Sequence, residues 1–150
     1  MRRIVLVVSI LLFALAPMPV AHASVSETIT ITTLKPLGPV DGSFATSGAF
    51  VDVGVLTTLN LHFSAIPAPD HLITHPTLRF KGDNGSFTVK AQIRETPTSN
   101  PQVFADTGVW EIVDGTGAYA KLHGGGTLVG TVDDDSGVVN RTYSGKVHFD

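Results

Sequence analysis

The strongest constraint on this chain is a hydrophobic period of two. Between Thr77 and Arg94, the apolar residues Leu78, Phe80, Phe87, Val89, Ala91 and Ile93 alternate with Thr77, Arg79, Lys81, Thr88, Lys90, Gln92 and Arg94. Successive side chains of an extended chain point to opposite faces, so this stretch offers one face to a core and the other to water. Gly82-Asp83-Asn84-Gly85 separates the two runs with residues that tolerate positive φ, which predicts a hairpin.

The same period recurs along the chain. Ile29 and Ile31 alternate with threonines in Glu27 to Thr32. From Ala49 to Val55 the expected apolar side is Ala49, Val51, Val53 and Val55, with Phe50, Asp52 and Gly54 opposite. Leu59, Leu61 and Phe63 then alternate with Asn60 and His62. Val109 to Val113 reads as a short strand ending at a turn, Asp114-Gly115-Thr116-Gly117. Ala118 to Leu122 and Gly126 to Val132 follow as strands, separated by Gly124-Gly125-Gly126. After the turn at Asp133 to Gly137, the last strand places Val139, Arg141, Tyr143, Gly145, Val147 and Phe149 on one face. Two proline-bearing stretches, Ala65 to Pro76 and Thr96 to Pro101, read as irregular connections, because proline cannot donate to a ladder.

One-sided alternation implies antiparallel pairing around a single apolar interior. A short chain hides its sheet edges by closing a barrel or by packing two sheets. Gly48, Gly54, Gly130 and Gly145 lie inside the runs and suit a sheet that curls onto itself. The expected fold is all-β, a single antiparallel β-barrel of about eight strands.

The chain's 150 residues suit one domain. The absence of cysteine excludes disulfide scaffolds, thiolate metal sites, cysteine nucleophiles and lipoprotein anchors. A formal net charge of −3 argues against a nucleic-acid partner. Arg2 and Arg3 precede an apolar run from Ile4 to Ala16, then Pro17 and Pro19, then small residues at Ala21 and Ala23. That order is the pattern of a secretory signal peptide over residues 1–23, with the barrel domain over 24–150. The run is shorter than the roughly 20 residues a membrane span needs, so no span is expected. Taking Arg2 and Arg3 from the 10 basic residues leaves 8 against 13 acidic ones. An exported, acidic chain without cysteine suggests a secreted, extracytoplasmic bacterial protein.

Gly115, Thr116 and Gly117, followed by Tyr119 and Gly124, form a Gly-Thr-Gly-x-aromatic pattern inside Gly108 to Gly126. This pattern resembles the C-terminal hairpin of the allene oxide cyclase and dirigent-like β-barrel proteins and of small bacterial secreted members of that superfamily. Lys81-Gly82-Asp83-Asn84-Gly85-Ser86-Phe87 and Tyr143-Ser144-Gly145 look similar to it as well, so the likeness covers about the last half of the exported chain. It implies an eight-stranded barrel with a central cavity, often dimeric or trimeric, which in the plant enzymes positions a hydrophobic oxygenated substrate. No catalytic carboxylate of that family aligns with a residue here. Read physically, Gly115, Gly117 and Gly124 are structural turn positions, and Tyr119 can fold its ring back over the barrel end.

Candidate functional residues are few. Arg141 shares the apolar face of the last strand, so its guanidinium either enters the barrel, paired with Glu111 or Asp52, or snorkels to solvent at the rim; the rim is the favoured placement. With Tyr143, Trp110 and Glu111 it forms the candidate ligand-binding set of the barrel interior. Asp70, His71 and His75 carry metal-ligating groups, but they sit in a proline-bounded loop with no obvious third neutral ligand and read as solvated. His62, His123 and His148 read as surface residues. Asp133, Asp134 and Asp135 fit a charged hairpin tip better than a calcium loop, which spreads its oxygens over a longer turn. The glycine-rich turns lack the following helix of a phosphate-binding loop, and no nucleophile motif occurs. No cofactor is expected.

The expectation is a secreted, non-catalytic binding module for a small apolar or amphipathic ligand held in the barrel. A structural or self-associating envelope protein is the first alternative. An allene-oxide-cyclase-like cyclase or isomerase using Glu111 or Asp52 is the second.

Overall fold

Eight strands account for nearly every backbone ladder in the computed structural model, which describes residues 25–64 and 71–150. The expected signal peptide lies outside the described residues. The strands are β1 (Glu27–Pro36), β2 (Gly42–Gly48), β3 (Val53–Ser64), β4 (Leu72–Gly82), β5 (Gly85–Pro97), β6 (Val103–Gly117), β7 (Leu122–Asp133) and β8 (Val138–Phe149). Each pairs antiparallel with the next, and β1 closes on β8 into a barrel. The described residues contain no helix, and hence none long and apolar enough to cross a membrane.

An up-and-down order sends alternate connections to opposite ends of the barrel. At one end, residues 49–52, 83–84 and 118–121 gather beside the start of β1. Phe44, Phe80 and Phe87 fill this half; Phe80 stacks on Phe87, its register partner, at 4.8 Å, and Phe44 meets Phe80 edge-on at 5.3 Å. Tyr119 folds over the end as expected, with its ring 4.8 Å from that of Phe50. Its hydroxyl donates a 2.6 Å hydrogen bond to Asp52 Oδ2. Burial opposes the Asp52 charge, but the donors from Tyr119, Val53, Asp83 and Asn84 outweigh it and hold the carboxyl below its ordinary value. The Tyr119 hydroxyl is raised far above its ordinary value by burial and by that carboxylate.

Several boundaries and one strand phase differ from the sequence reading. Val51, Val53 and Val55 face solvent, while Asp52 is buried and Leu56 enters the core. Phe50 and Leu56 bury more apolar surface than the valines, and Asp52 finds its donors inside, so the phase opposite to the expected one wins. A β-bulge between Thr58 and Asn60 then shifts the register. It places Leu61 and Phe63 beside Pro76 and Thr74, which are buried. The connection expected up to Pro76 instead contains the start of β4, and the β4–β5 ladder skips His75 and Pro76, since proline has no N–H. Gly115 to Gly117 are not a turn. They extend β6 and pair with Phe87, Ser86 and Gly85. The turn falls at residues 118–121, and β7 runs unbroken through Gly124, Gly125 and Gly126.

Candidate functional site

Among the described residues the opposite end of the barrel is open. Connections 37–41, 98–102 and 134–137 gather there, with the ends of β3 and β4. A cup of about 640 Å³ occupies this half. Leu59, Leu61, Phe63, Leu78, Val132 and Val139 form its apolar wall. Leu59, Leu61 and Phe63 remain 43%, 44% and 61% exposed although they line the interior. Leaving this much apolar area wet within a concave surface is the condition a ligand relieves.

Arg141 forms the floor, and the sheet register explains how it gets there. Arg141 on β8 pairs with Gly130 on β7, which in turn pairs with Asp106 on β6. A Cβ at Gly130 would lie 2.7 Å from Arg141 Cγ and 2.2 Å from the Asn140 carbonyl oxygen. Glycine therefore clears a lane across β7. Through it, the Arg141 Nε–H donates to Asp106 Oδ2 at 2.7 Å. Glu95 on β5 approaches the same guanidinium, Oε1 to Nη2 at 3.9 Å. The Asp106 side chain is fully buried and that of Arg141 is 13% exposed.

Two carboxylates face one guanidinium in a poorly solvated site. Burial raises the Asp106 carboxyl above its ordinary value even against the attraction of Arg141. Glu95 is likewise raised, first by burial and then by the Asp106 charge, with Arg141 acting in the opposite sense. Burial pushes the Tyr143 hydroxyl up to about 12. Among the described residues Asp106 Oδ1 has no hydrogen-bond partner, and the Tyr143 hydroxyl lies beside the Arg141 guanidinium. Lys35 stands at the mouth, its Nζ donating to the carbonyls of Pro36 and Gly38 at 3.0 and 2.6 Å. Desolvation and the Arg141 charge lower its pKa. The cup can therefore hold an apolar body against β3 and present charge-assisted donors and acceptors at its floor.

The expected residues divide between the cup and elsewhere. Arg141 belongs to it, and the expectation that it snorkels to solvent is corrected: Asp106 draws the guanidinium inward. Tyr143 and Trp110 face the interior but lie in the packed layer, 0% and 4% exposed. The Trp110 ring meets Tyr143 edge-on at 6.2 Å and approaches Gly145, and its Nε1–H donates to the Thr127 carbonyl. Glu111 is corrected outright, because its position on β6 faces solvent. Asp52 is also no partner of Arg141, since it is bonded to Tyr119 at the closed end.

His71 Nε2 meets Arg94 Nη2 at 3.0 Å and His75 Nε2 meets Ser64 Oγ at 2.9 Å. Asp70 lies outside the described residues. No group of three metal-ligating side chains occurs among the described residues. Asp133 Oδ1 accepts from the amides of Asp135 and Ser136, so that acidic stretch builds its own turn.

Sequence reasoning missed Glu95 and Asp106. Both were within reach of the period-two rule: Glu95 continues Phe87 to Ile93 by one more step, and Asp106 lies two steps before Trp110. Comparison with protein-family models, curated proteins and solved structures found no match.

Proposed function

We propose that this chain is an exported binding module that holds a small amphipathic ligand in the open half of its barrel. The observation that carries this reading is the cup of about 640 Å³, with Leu59, Leu61 and Phe63 uncovered on its wall and Arg141 at its floor. That volume falls in the range of small-molecule sites, and an apolar wall with a few convergent polar groups is their usual composition. The closed half is packed with Phe44, Phe80 and Phe87, all buried.

The likeness to the allene oxide cyclase and dirigent-like barrels is consistent with this reading, and export agrees with the leader-like start of the sequence. A cyclase or isomerase, placed last by the sequence and assigned there to Glu111 or Asp52, gains one observation. What favours it is Glu95, a carboxyl raised by burial, lining the cup beside Arg141.

Titration with an environment-sensitive apolar fluorophore tests the binding reading. Saturable uptake is expected, together with its loss in a Leu61→Ser/Phe63→Ser variant. Absence of saturable uptake, or uptake unchanged by those substitutions, would overturn it. Glu95→Gln separates the two readings, since a binding module keeps its uptake while a catalyst loses turnover.

A further inference from the structure

The outer face of β4 and β5 is independent of the cup. Arg79, Lys81, Lys90 and Arg94 all stand exposed on it. The register sets them in separate ranks: Arg94 beside Ile73, Lys90 beside Thr77, Arg79 beside Thr88 and Lys81 beside Ser86. His75, also outward, fills the rank between Arg94 and Lys90. Ranks two residues apart are separated by roughly 6.7 Å, so the basic groups form a line about 27 Å long.

Arg79, Lys81 and Lys90 enter no ion pair among the described residues. Glu111 and Asp114 on β6 border one side, and Glu111 is the register partner of Lys90 without bridging to it. The β3 side is uncharged, with Val55, Thr57, Asn60 and His62 opposite Lys81, Arg79, Thr77 and His75. Midway along the line, where Pro76 interrupts the ladder, lies an outer groove of about 540 Å³. Asn60, His62, Thr77 and Gln92 line it together with Lys90, and Val109 and Glu111 bound its β6 side.

We propose that this face docks a linear acidic polysaccharide. Spaced cations meet its carboxylates, and the amides and hydroxyl of Asn60, Gln92 and Thr77 meet its ring hydroxyls between them. The groove midway along the line selects a polymer over a membrane, because a single chain can enter it and a bilayer surface cannot. Single-stranded nucleic acid is disfavoured because no Phe, Tyr or Trp of this face is exposed among the described residues: Trp110 is 4% exposed, and His62 and His75 are the rings that reach the surface.

Retention of the full chain on immobilised polygalacturonate, at low and rising salt, tests this. Retention should fall steeply with salt and be absent on neutral dextran. Arg79→Glu/Lys90→Glu should weaken binding by about tenfold or more and lower the log–log salt slope by about two. Lys121→Glu/Lys146→Glu changes net charge equally on other surfaces and should stay within about twofold of the wild type. A near-UV circular dichroism spectrum checks the fold. Should the reversal variant unfold, Arg79→Gln/Lys90→Gln must weaken binding in the same direction. The proposal is overturned by a wild-type chain that is not retained, by equal losses in both reversal variants, or by tighter binding to phosphatidylglycerol vesicles or poly(dT).

Discussion

Removing Asp106 should expose how strongly the barrel depends on its internal ion pair. Asp106→Ala deletes a carboxylate with no exposed side-chain surface and leaves a guanidinium 13% exposed inside the barrel. Breaking a buried pair from one side costs about 3–5 kcal/mol, most of it the stranded charge. Glu95 remains 3.9 Å away as a second partner, which places the expected loss at the lower end, about 3 kcal/mol. At about 4 °C per kcal/mol for a domain of this size, Tm should fall by about 12 °C. Urea unfolding followed by the fluorescence of Trp110, the only tryptophan, measures the loss. The double variant Asp106→Leu/Arg141→Met removes both charges from the same space and should lie within about 1 kcal/mol of the wild type. A single-variant cost below about 1 kcal/mol would refute the reasoning. So would a double variant as unstable as the single one.

At the closed end, Tyr119→Phe removes the 2.6 Å donor to Asp52 and should cost about 2 kcal/mol at neutral pH. Because the folded Asp52 carboxyl sits below its unfolded value, this stability is present above the ordinary carboxylate range and lost as pH falls through it. The variant's deficit, read by urea titration, should therefore shrink from pH 7 to pH 3. Glu95 has the opposite sign: its raised folded value makes the wild type lose stability as pH rises through it, so Glu95→Gln should gain relative to the wild type between about pH 4 and 7. Gly130→Ala should destabilise by about 1–3 kcal/mol, since its Cβ would meet the Asn140 carbonyl oxygen at 2.2 Å.

The architecture was readable from periodicity because the core face of each strand recurs every second residue. Leu78 to Ile93 and Val139 to Val147 therefore declared both their strands and their inward sides. The phase of β3 was not readable. Valines at 51, 53 and 55 alternate as cleanly as core residues do, and the decision came from what Phe50, Leu56 and Asp52 find across the barrel. Glycine runs hid the middle of β7, since residues 124–126 look like a loop until Trp110 and the β8 backbone occupy the space above them. The site was half legible. Arg141 stood out as a cation on an apolar face, but its partner depended on which residues lie across Gly130. That adjacency is set by register between strands distant in sequence. Glu111 and Asp106 lie on opposite sides of β6, and the buried side is that of Asp106.

The open half of the barrel is proposed to hold a small molecule. Native mass spectrometry of the protein recovered from its own host tests this most directly. A mass surplus of a few hundred daltons is expected, lost on denaturation and absent from Leu61→Ser/Phe63→Ser protein prepared in the same way. A bare mass, together with no saturable uptake of an apolar fluorophore, would contradict the account.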